Sequence, residues 1–287
     1  MYGLAADAAN PEAVRRIFSV KGRPADHPLI VHAASAGALA DGWIDDPPAA
    51  FAALAEACWP GPLTMLVARG PRVLDVVTGA RATVGVRVPA HPLTTAALER
   101  FGGAVAAPSA NRFGRVSPTR AEHVLADLAH ALDPHRDCVL DGGPATVGVE
   151  STIVDLTVDP PQVLRAGAID AATIARLLDA PVAPAAGPSR AAGMLRAHYA
   201  PHAEVLLAEH ADDAAEIAGG VAAQGRRVAV LDRTTDLVEA ARHLYDDLRA
   251  ADAAGLDALV VVLPPPEGLG LALRDRLTKA AAGSARR

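Results

Sequence analysis

LTMLVAR, residues 63–69, and TVGVRVP, residues 83–89, are the two apolar runs that decide the fold class. Both predict β-strands, and the second alternates in part between apolar and polar residues. Further short strands are predicted at 28–33, 103–111, 138–143, 150–157 and 162–169. These strands lie close together and do not alternate strictly with helices, so we expect an α/β fold with a twisted, mixed, open sheet.

The helix signals of this first part are clear. Asn10 is placed to cap a helix that begins at Pro11 and runs to about residue 20. Ser117, followed by Pro118, predicts a second capped helix over 117–132. Further helices are predicted at 48–57, 92–101 and 170–179.

The remainder of the chain divides into a linker and a second domain. Residues 181–202 hold four prolines and little periodicity, which predicts a semi-extended linker. Three strand–helix units follow, with helices at 211–223, 236–253 and 269–282, and they predict a small parallel α/β domain. We therefore assign residues 1–180 to a first domain, 181–202 to the linker and 203–287 to a second domain.

Composition limits the classes of function. A hydrophobic share of 51% permits a large core, and aromatics at 3% argue against platforms that stack nucleic-acid bases. The net charge of −6 argues against a general polyanion-binding surface, though it leaves room for a local basic groove. Two cysteines, Cys58 and Cys138, are too few for a disulfide framework or a cysteine metal site, and we expect both to be buried thiols of a cytoplasmic protein. The longest apolar run, 259–263, is too short to cross a membrane.

Lysine is rare in this chain, which has 27 basic residues but only two lysines, Lys21 and Lys279. In KGRP (21–24), Gly22 permits a turn that lets Lys21 and Arg23 meet one anion, the first as a point charge and the second as a bidentate fork. The alternative is that both cations cap the end of the preceding helix.

A second cluster of donors lies in PSANRFGRVSPT (108–119), directly after an apolar strand. Ser109 and Asn111 lie in the strand-to-loop turn, and Ser117 lies at the predicted helix start, where free backbone amides favour an anion. A turn so rich in donors favours binding over a plain surface loop.

Other candidates are weaker one by one. Thr83 and Arg87 are four residues apart on a predicted strand, so they share a face. Ser151, Arg165 and His32 lie at or near strand ends, where open α/β sheets bind ligands, although each alone is more often a structural residue. Because no Ser-His-Asp order, paired-carboxylate motif, metal spacing or Walker loop is found in the sequence, the residues alone predict an anion-accepting cleft suited to a nucleotide.

Taken together, these stretches resemble one family. KGRP, PSANRFG and GVEST (148–152), together with WPGPLTMLV, LRAGAI, HYAP and GLGLALRDRL, are similar to the two-domain threonylcarbamoyl-AMP synthases over nearly the whole chain. The resemblance implies a YrdC-like first domain and a Rossmann-like second domain.

The resemblance also implies an activity: a nucleotidyltransferase that joins L-threonine, bicarbonate and ATP, with Mg²⁺, into threonylcarbamoyl-adenylate and pyrophosphate. The product would pass to a tRNA-modifying threonylcarbamoyl transferase complex, with tRNA contact as a further expectation. The implied catalytic residues are Lys21 and Arg23, and no metal-ligating residue is implied. The implied ATP-binding residues are Thr83, Ser109, Asn111, Ser117, Arg165 and Tyr199, the last as part of a lid. The implied threonine-binding residues are His32, Arg87 and Ser151. Lys21→Ala is expected to abolish pyrophosphate release and to leave the melting temperature nearly unchanged.

Three departures from the family pattern accompany the resemblance. Family members usually carry a threonine-binding threonine shortly before the tyrosine of YGL, and here the chain starts at Met1-Tyr2, so we expect that residue and an N-terminal element to be missing. His27 replaces a common asparagine, and Ala191-Ala192-Gly193-Met194 replaces Ser-Pro-Gly-Met.

Two alternatives to the synthase remain open. The first is a double-stranded RNA-binding or tRNA-binding module without catalysis, since the same fold presents a concave basic face. The second is a carbamoyl-transfer enzyme of hydrogenase maturation, which the low cysteine count disfavours.

Overall fold

The computed structural model describes residues 1–195 and 197–285, and its strands form two sheets. The strands of the first sheet, numbered in chain order, are β1 (Ala6–Asp7), β2 (Ile30–His32), β3 (Leu63–Ala68), β4 (Thr83–Arg87), β5 (Val105–Ala106), β6 (Thr152–Asp155), β7 (Gln162–Arg165) and β8 (Ala183–Pro184). Their order across the sheet is β1-β5-β2-β4-β3-β6-β7-β8. The pairs β2/β4, β3/β6 and β7/β8 are parallel and the others are antiparallel, so the predicted mixed sheet is confirmed.

The helices of this part are α1 (Pro11–Lys21), α2 (Ala36–Ala40), α3 (Ala49–Cys58), α4 (Asp75–Thr78), α5 (Pro92–Phe101), α6 (Ala121–Leu128) and α7 (Ala171–Leu178). The predicted cap of α1 is confirmed, because the side chain of Asn10 accepts from the backbone amides of Glu12 and Ala13. The helices cover one face of the sheet, where Val31, Met65 and Val86 are fully buried. Each such side chain contributes about 1.5–3 kcal/mol by leaving water.

The opposite face of the same sheet is the more polar one, although it also carries Leu66 and Ile153. Side chains alternate along a strand, so Thr83 and Arg87 face away from the core that holds Val84 and Val86. This division gives the first domain a donor-rich face that no helix of its own core covers.

The linker crosses this polar side. Its β8 pairs with β7, and Arg190 donates to the buried carboxylate of Asp155 at 2.6 Å. Ala191 and Met194 pack with Leu66, Ile153 and Leu164 in a small apolar cluster. Because these contacts run along the linker, it is docked on the sheet over this stretch.

The second domain has the predicted strand–helix order. Its elements are β9 (Glu204–Ala208), α8 (Ala211–Ala223), β10 (Val228–Leu231), α9 (Leu237–Ala253), β11 (Ala258–Val262) and α10 (Leu269–Ser284). The strands are parallel in the order β10-β11-β9, and β11, paired on both sides, is buried at every residue.

Two predictions for residues near 140 are wrong. Residues 138–143 form no strand, and Leu140 is half exposed, because this segment runs over the surface and lacks a partner strand. Cys138 is exposed for the same reason and is not the buried thiol we predicted, whereas Cys58 is partly buried and packs against the core. Among the residues that the structure describes, no helix is both long and apolar enough to cross a membrane.

Candidate active site

Lys21 is the buried anchor of the site. It is the last residue of α1, and Gly22 ends the helix in the left-handed conformation with φ of 63°. Its ammonium donates to the main-chain carbonyl of Ser109 at 2.5 Å and to that of Asn111, 88 and 90 residues away in the chain. Burial, with Arg23 close by, lowers the pKa of Lys21 to about 7. Lys21 ends the helix, but its ammonium bonds to the donor-rich turn and not to the carbonyls of the last helical turn, so a shared anion for Lys21 and Arg23 stays a prediction.

Arg23 lines the neighbouring cleft. Its guanidinium donates to the Pro28 carbonyl at 3.0 Å and lies 5.7 Å from the ring centre of Phe113, while its buried Nε has no partner among the described residues. Burial lowers the pKa of Arg23 to about 10. The cleft encloses about 160 Å³ and is also lined by linker residues, including Gly193 and His198.

Sequence reasoning missed Phe113 and His198. His198 is buried, its Nδ1 has no partner among the described residues, and burial lowers its pKa to about 3, so the ring is neutral. The rings of Phe113 and His198 meet edge to face at 6.2 Å. The sequence offered one signal for Phe113: aromatic residues make up only 3% of the chain, so a phenylalanine next to the donor-rich turn could have been noted.

Hydrogen bonds from the Asn111 side chain stabilise the turn at residues 108–119. The side-chain amide of Asn111 donates to the carbonyls of Arg112 and Arg115, and its buried oxygen has no partner within the described residues. Ser109 is half-buried beside it. The prediction that Ser117 caps a helix is wrong, because α6 begins at Ala121 and the Ser117 hydroxyl donates to Glu150 at 2.9 Å instead.

A second group lies along the polar face of the sheet. His32 and Arg87 are paired residues on the adjacent strands β2 and β4. Arg87 donates to the Gly61 carbonyl at 2.9 Å, and burial followed by repulsion from Arg165 lowers its pKa to about 10. The pKa of His32 falls to about 3, chiefly through burial, so its ring is neutral, and Nδ1 donates to the Ile30 carbonyl at 3.0 Å.

Thr83 begins the strand that Arg87 ends, so the two side chains share a face but stand at its two ends. Arg81, two residues before Thr83, lines the Arg23 cleft, whereas Arg87 is paired with His32. Thr83 therefore lies at the cleft end of β4, and Arg87 lies at the end next to His32.

Ser151 and Arg165 meet between two loops, which we name the GVEST loop (148–152) and the RAG loop (165–167). Arg165 donates from Nε to the Ser151 carbonyl and from Nη2 to the Ser151 hydroxyl, both at 3.0 Å. The Ser151 hydroxyl lies 2.7 Å from that of Thr64, a polar partner on β3 that sequence reasoning missed. Arg165 also donates to the linker carbonyl of Ala192 at 3.4 Å, so the linker closes over this group.

Tyr199 is 1% exposed and lies in the core between the domains. Its backbone has φ of 62°. The centre of its ring lies 4.1 Å from the ring centre of His198 and 5.5 Å from that of Tyr245. Burial raises its pKa to about 12. Its predicted contact with a nucleotide stays a prediction.

The fold and site define a class: two-domain α/β proteins with a cationic, donor-rich cleft laid across the polar face of a mixed sheet and covered by the interdomain linker. Residues 1–167 match the family model described as telomere recombination, and residues 168–282 match the one described as threonylcarbamoyl-AMP synthase, C-terminal domain. The chain belongs to the threonylcarbamoyl-AMP synthase family, a family of enzymes.

Relatives match over nearly the whole chain. The threonylcarbamoyl-AMP synthase of Pyrococcus abyssi is 38% identical, over 98% of this chain and 87% of that protein. The one from Bacillus subtilis is 37% identical, over 99% and 87%. The crystal structure of P. abyssi Sua5 complexed with L-threonine superposes with a TM-score of 0.90 at 36% identity, covering 98% of this chain and 88% of that one.

Proposed function

We propose that this protein forms threonylcarbamoyl-AMP and pyrophosphate from L-threonine, bicarbonate and ATP. One observation carries the proposal. Arg23 lines the cleft, Lys21 is buried two residues before it, and Arg87 and Arg165 lie on the sheet face beneath the linker. None of the four forms a salt bridge with a carboxylate of the described chain. Buried or half-buried cations that no carboxylate contacts directly are costly, and a polyanionic substrate with a carboxylate supplies such contacts.

ATP occupies the Lys21 side in this proposal. Lys21 and Arg23 are the catalytic pair and balance charge on the phosphates. The remaining ATP-binding residues are Thr83, Ser109, Asn111, Ser117, Arg165 and Tyr199. The unpartnered amide oxygen of Asn111 supports a ligand donor there. The Ser117 hydroxyl, which now donates to Glu150, would act on the ligand only as an acceptor or after rearrangement.

Threonine occupies the other end. Arg87 takes its carboxylate, and neutral His32 and Ser151 line the pocket around its amine and hydroxyl. The crystal structure of P. abyssi Sua5 is a complex with L-threonine, which supports an amino-acid site in this fold.

The chemistry then proceeds without a protein nucleophile. The threonine amine adds to bicarbonate to give a carbamate with loss of water. A carbamate oxygen attacks the α-phosphorus of ATP, and the bond to the pyrophosphate oxygen breaks. The protein contributes position and electrostatic stabilisation of the phosphates, and the linker keeps water from the labile carbamate and the mixed anhydride. The reaction is therefore that of a nucleotidyltransferase.

Mg²⁺ enters this proposal with the substrate. The described residues contain no group of three His, Cys, Asp or Glu side chains that could hold a metal ion. Mg²⁺ would therefore enter the site bound to the phosphates of ATP.

The adenylate is a reactive intermediate, so a tRNA-modifying threonylcarbamoyl transferase complex would consume it in the cytoplasm. The RNA-binding alternative is not favoured, because the net charge is −6 and the family match covers both domains. Pyrophosphate release that requires threonine, bicarbonate and ATP together would support the proposal. Filter binding of tRNA that falls steeply with salt, in a protein that releases no pyrophosphate, would favour the alternative instead.

A further inference from the structure

The buried carboxylate of Glu150, in the GVEST loop, accepts hydrogen bonds from residues of both domains. Its Oε1 accepts from Ser117 of the first domain at 2.9 Å. Its Oε2 accepts from the Tyr245 hydroxyl at 2.8 Å and from Arg276 Nε at 3.0 Å, both in the second domain. Burial alone would raise the pKa of Glu150, but the charges of Arg276 and Arg165 outweigh it and lower the pKa to about 2. The carboxylate is therefore ionised at neutral pH and depends on the second domain for two of its partners.

Arg276, on α10, joins two loops of the first domain. It is completely buried, and besides Glu150 it donates from Nη1 to the Ala166 carbonyl of the RAG loop at 2.6 Å. These loops are in close contact, because a side chain at Gly167 would lie 2.4 Å from the Thr152 amide nitrogen. A single guanidinium thus fixes the GVEST and RAG loops relative to each other.

Lys279, the other lysine of the chain, lies three residues further along the same helix. Its ammonium donates to the linker carbonyl of Gly193 at 2.7 Å and pairs with Asp275. Its own carbonyl accepts from the backbone amide of His198 at 3.2 Å. Gly193 and His198 both line the Arg23 cleft, so α10 holds the linker where it covers that cleft.

We propose that α10 is a positioning element of the active site: Arg276 sets the GVEST and RAG loops, Lys279 sets the linker, and the second domain thereby completes the cleft of the first. The inference rests on the proposed function, since it assigns these residues to that same site. Arg276 and Lys279 act through their neighbours and are positioning residues. Ser151 and Arg165, which lie in the two loops, are the groups that they place.

The test compares Arg276→Met with Arg276→Lys and with a matched control, Arg274→Met. Arg274 is on the same helix, but its partners are Glu209 and the Pro264 carbonyl, both in the second domain. The values of kcat and KM are measured from threonine-dependent pyrophosphate release at a temperature well below the melting temperature. Hydrogen exchange by mass spectrometry follows the two loops. A displacement of the loops by about 1 Å lowers kcat by about 100-fold in Arg276→Met. Exchange in both loops rises at least tenfold over wild type, while the control matches wild type in both readouts.

Arg276→Lys recovers part of kcat, because an ammonium reaches Glu150 but does not bridge to Ala166 as well. If Arg276→Met does not fold, the lysine variant decides the question, and wild-type kcat with wild-type loop exchange overturns the proposal. Faster exchange spread evenly through both domains also overturns it, since that marks a purely structural residue. A wild-type protein without threonine-dependent pyrophosphate release, but with the expected loop exchange in the variants, would contradict the proposed function alone.

Discussion

The ammonium of Lys21 donates to the main-chain carbonyl of Ser109 at 2.5 Å and so ties the end of α1 to a turn 88 residues further along. This contact brings the KGRP and PSANRFG motifs together. It also changes one expectation: because two carbonyls accept from Lys21, its loss affects stability as well as activity.

Lys21→Met removes the cation and keeps most of the apolar stem. We expect threonine-dependent pyrophosphate release to fall below detection. We also expect the free energy of unfolding to drop by about 1–3 kcal/mol, because two acceptors lose their donor. Pyrophosphate assays and thermal melts check both effects. Arg15→Met, which removes an exposed cation from the same helix, is the control and leaves both values unchanged. Wild-type turnover in Lys21→Met would refute the role of this residue.

The lowered pKa of Lys21 predicts proton uptake when ATP binds. With a pKa of about 7 in the unliganded fold, much of the protein holds a neutral amine at pH 8. A bound triphosphate favours the ammonium, so ATP binding takes up close to one proton at pH 8 and almost none at pH 5.5. Calorimetry in buffers of different ionisation enthalpy measures this number. Heat that is independent of the buffer at pH 8 would count against it.

The same shift sets a stability trend. The unfolded lysine keeps a pKa near 10.5, so between pH 7 and 10.5 the unfolded chain binds more protons than the fold does. The contribution of Lys21 to the free energy of unfolding therefore rises with pH across that window. The free energy of unfolding of wild type minus that of Lys21→Met, obtained from thermal melts, should increase with pH in this window. A difference that does not change with pH would contradict the burial of the ammonium.

Arg87→Gln tests the threonine end of the site. Losing a charge-assisted contact to a carboxylate costs about 1.5–3 kcal/mol, so we expect the KM for threonine to rise about 10- to 150-fold with a smaller change for ATP. Arg69→Gln removes an arginine that pairs with the exposed Asp75 and serves as the control. A larger rise in the KM for ATP than for threonine would reverse our assignment of the two ends.

Gly193→Ala tests whether the linker covers the cleft. Gly193 has φ of 85°, and an added Cβ would lie 2.8 Å from Arg165 Cδ and 3.1 Å from the Tyr199 hydroxyl. Gly187 has nearly the same φ, 83°, but a Cβ added there would lie 3.9 Å from Arg190 Nη1 and meet nothing closer. Both substitutions cost about 1–2 kcal/mol of backbone strain, and only Gly193→Ala should also lower kcat/KM. Equal activity in the two variants would separate the linker from catalysis.

The sequence predicted regular elements well wherever local signals and packing agree. Asn10 caps α1 as predicted, and the helices and strands of the second domain fall where their periodicity places them. The prediction failed for Ser117, whose hydroxyl satisfies a buried carboxylate from a distant loop instead of a helix amide. It also failed for residues 138–143, where an apolar composition has no sheet edge to join.

Several residues of the candidate site could be selected from their sequence motifs, but their contacts could not be predicted. Lys21, Ser109 and Asn111 were picked from their motifs, and the structure brings them within hydrogen-bonding distance. The contributions of Thr64 and Arg276 could not be predicted, because each acts through a contact that only the tertiary fold creates. No local spacing records such a contact.

The most direct measurement of the central claim is mass spectrometry of the reaction with ¹³C-bicarbonate, L-threonine and MgATP. We predict threonylcarbamoyl-AMP that carries the label in its carbamoyl carbon, formed together with an equal amount of pyrophosphate, in wild type and not in Lys21→Met. Unlabelled product, or no adenylate at all from a folded protein that binds ATP and threonine, would contradict the account.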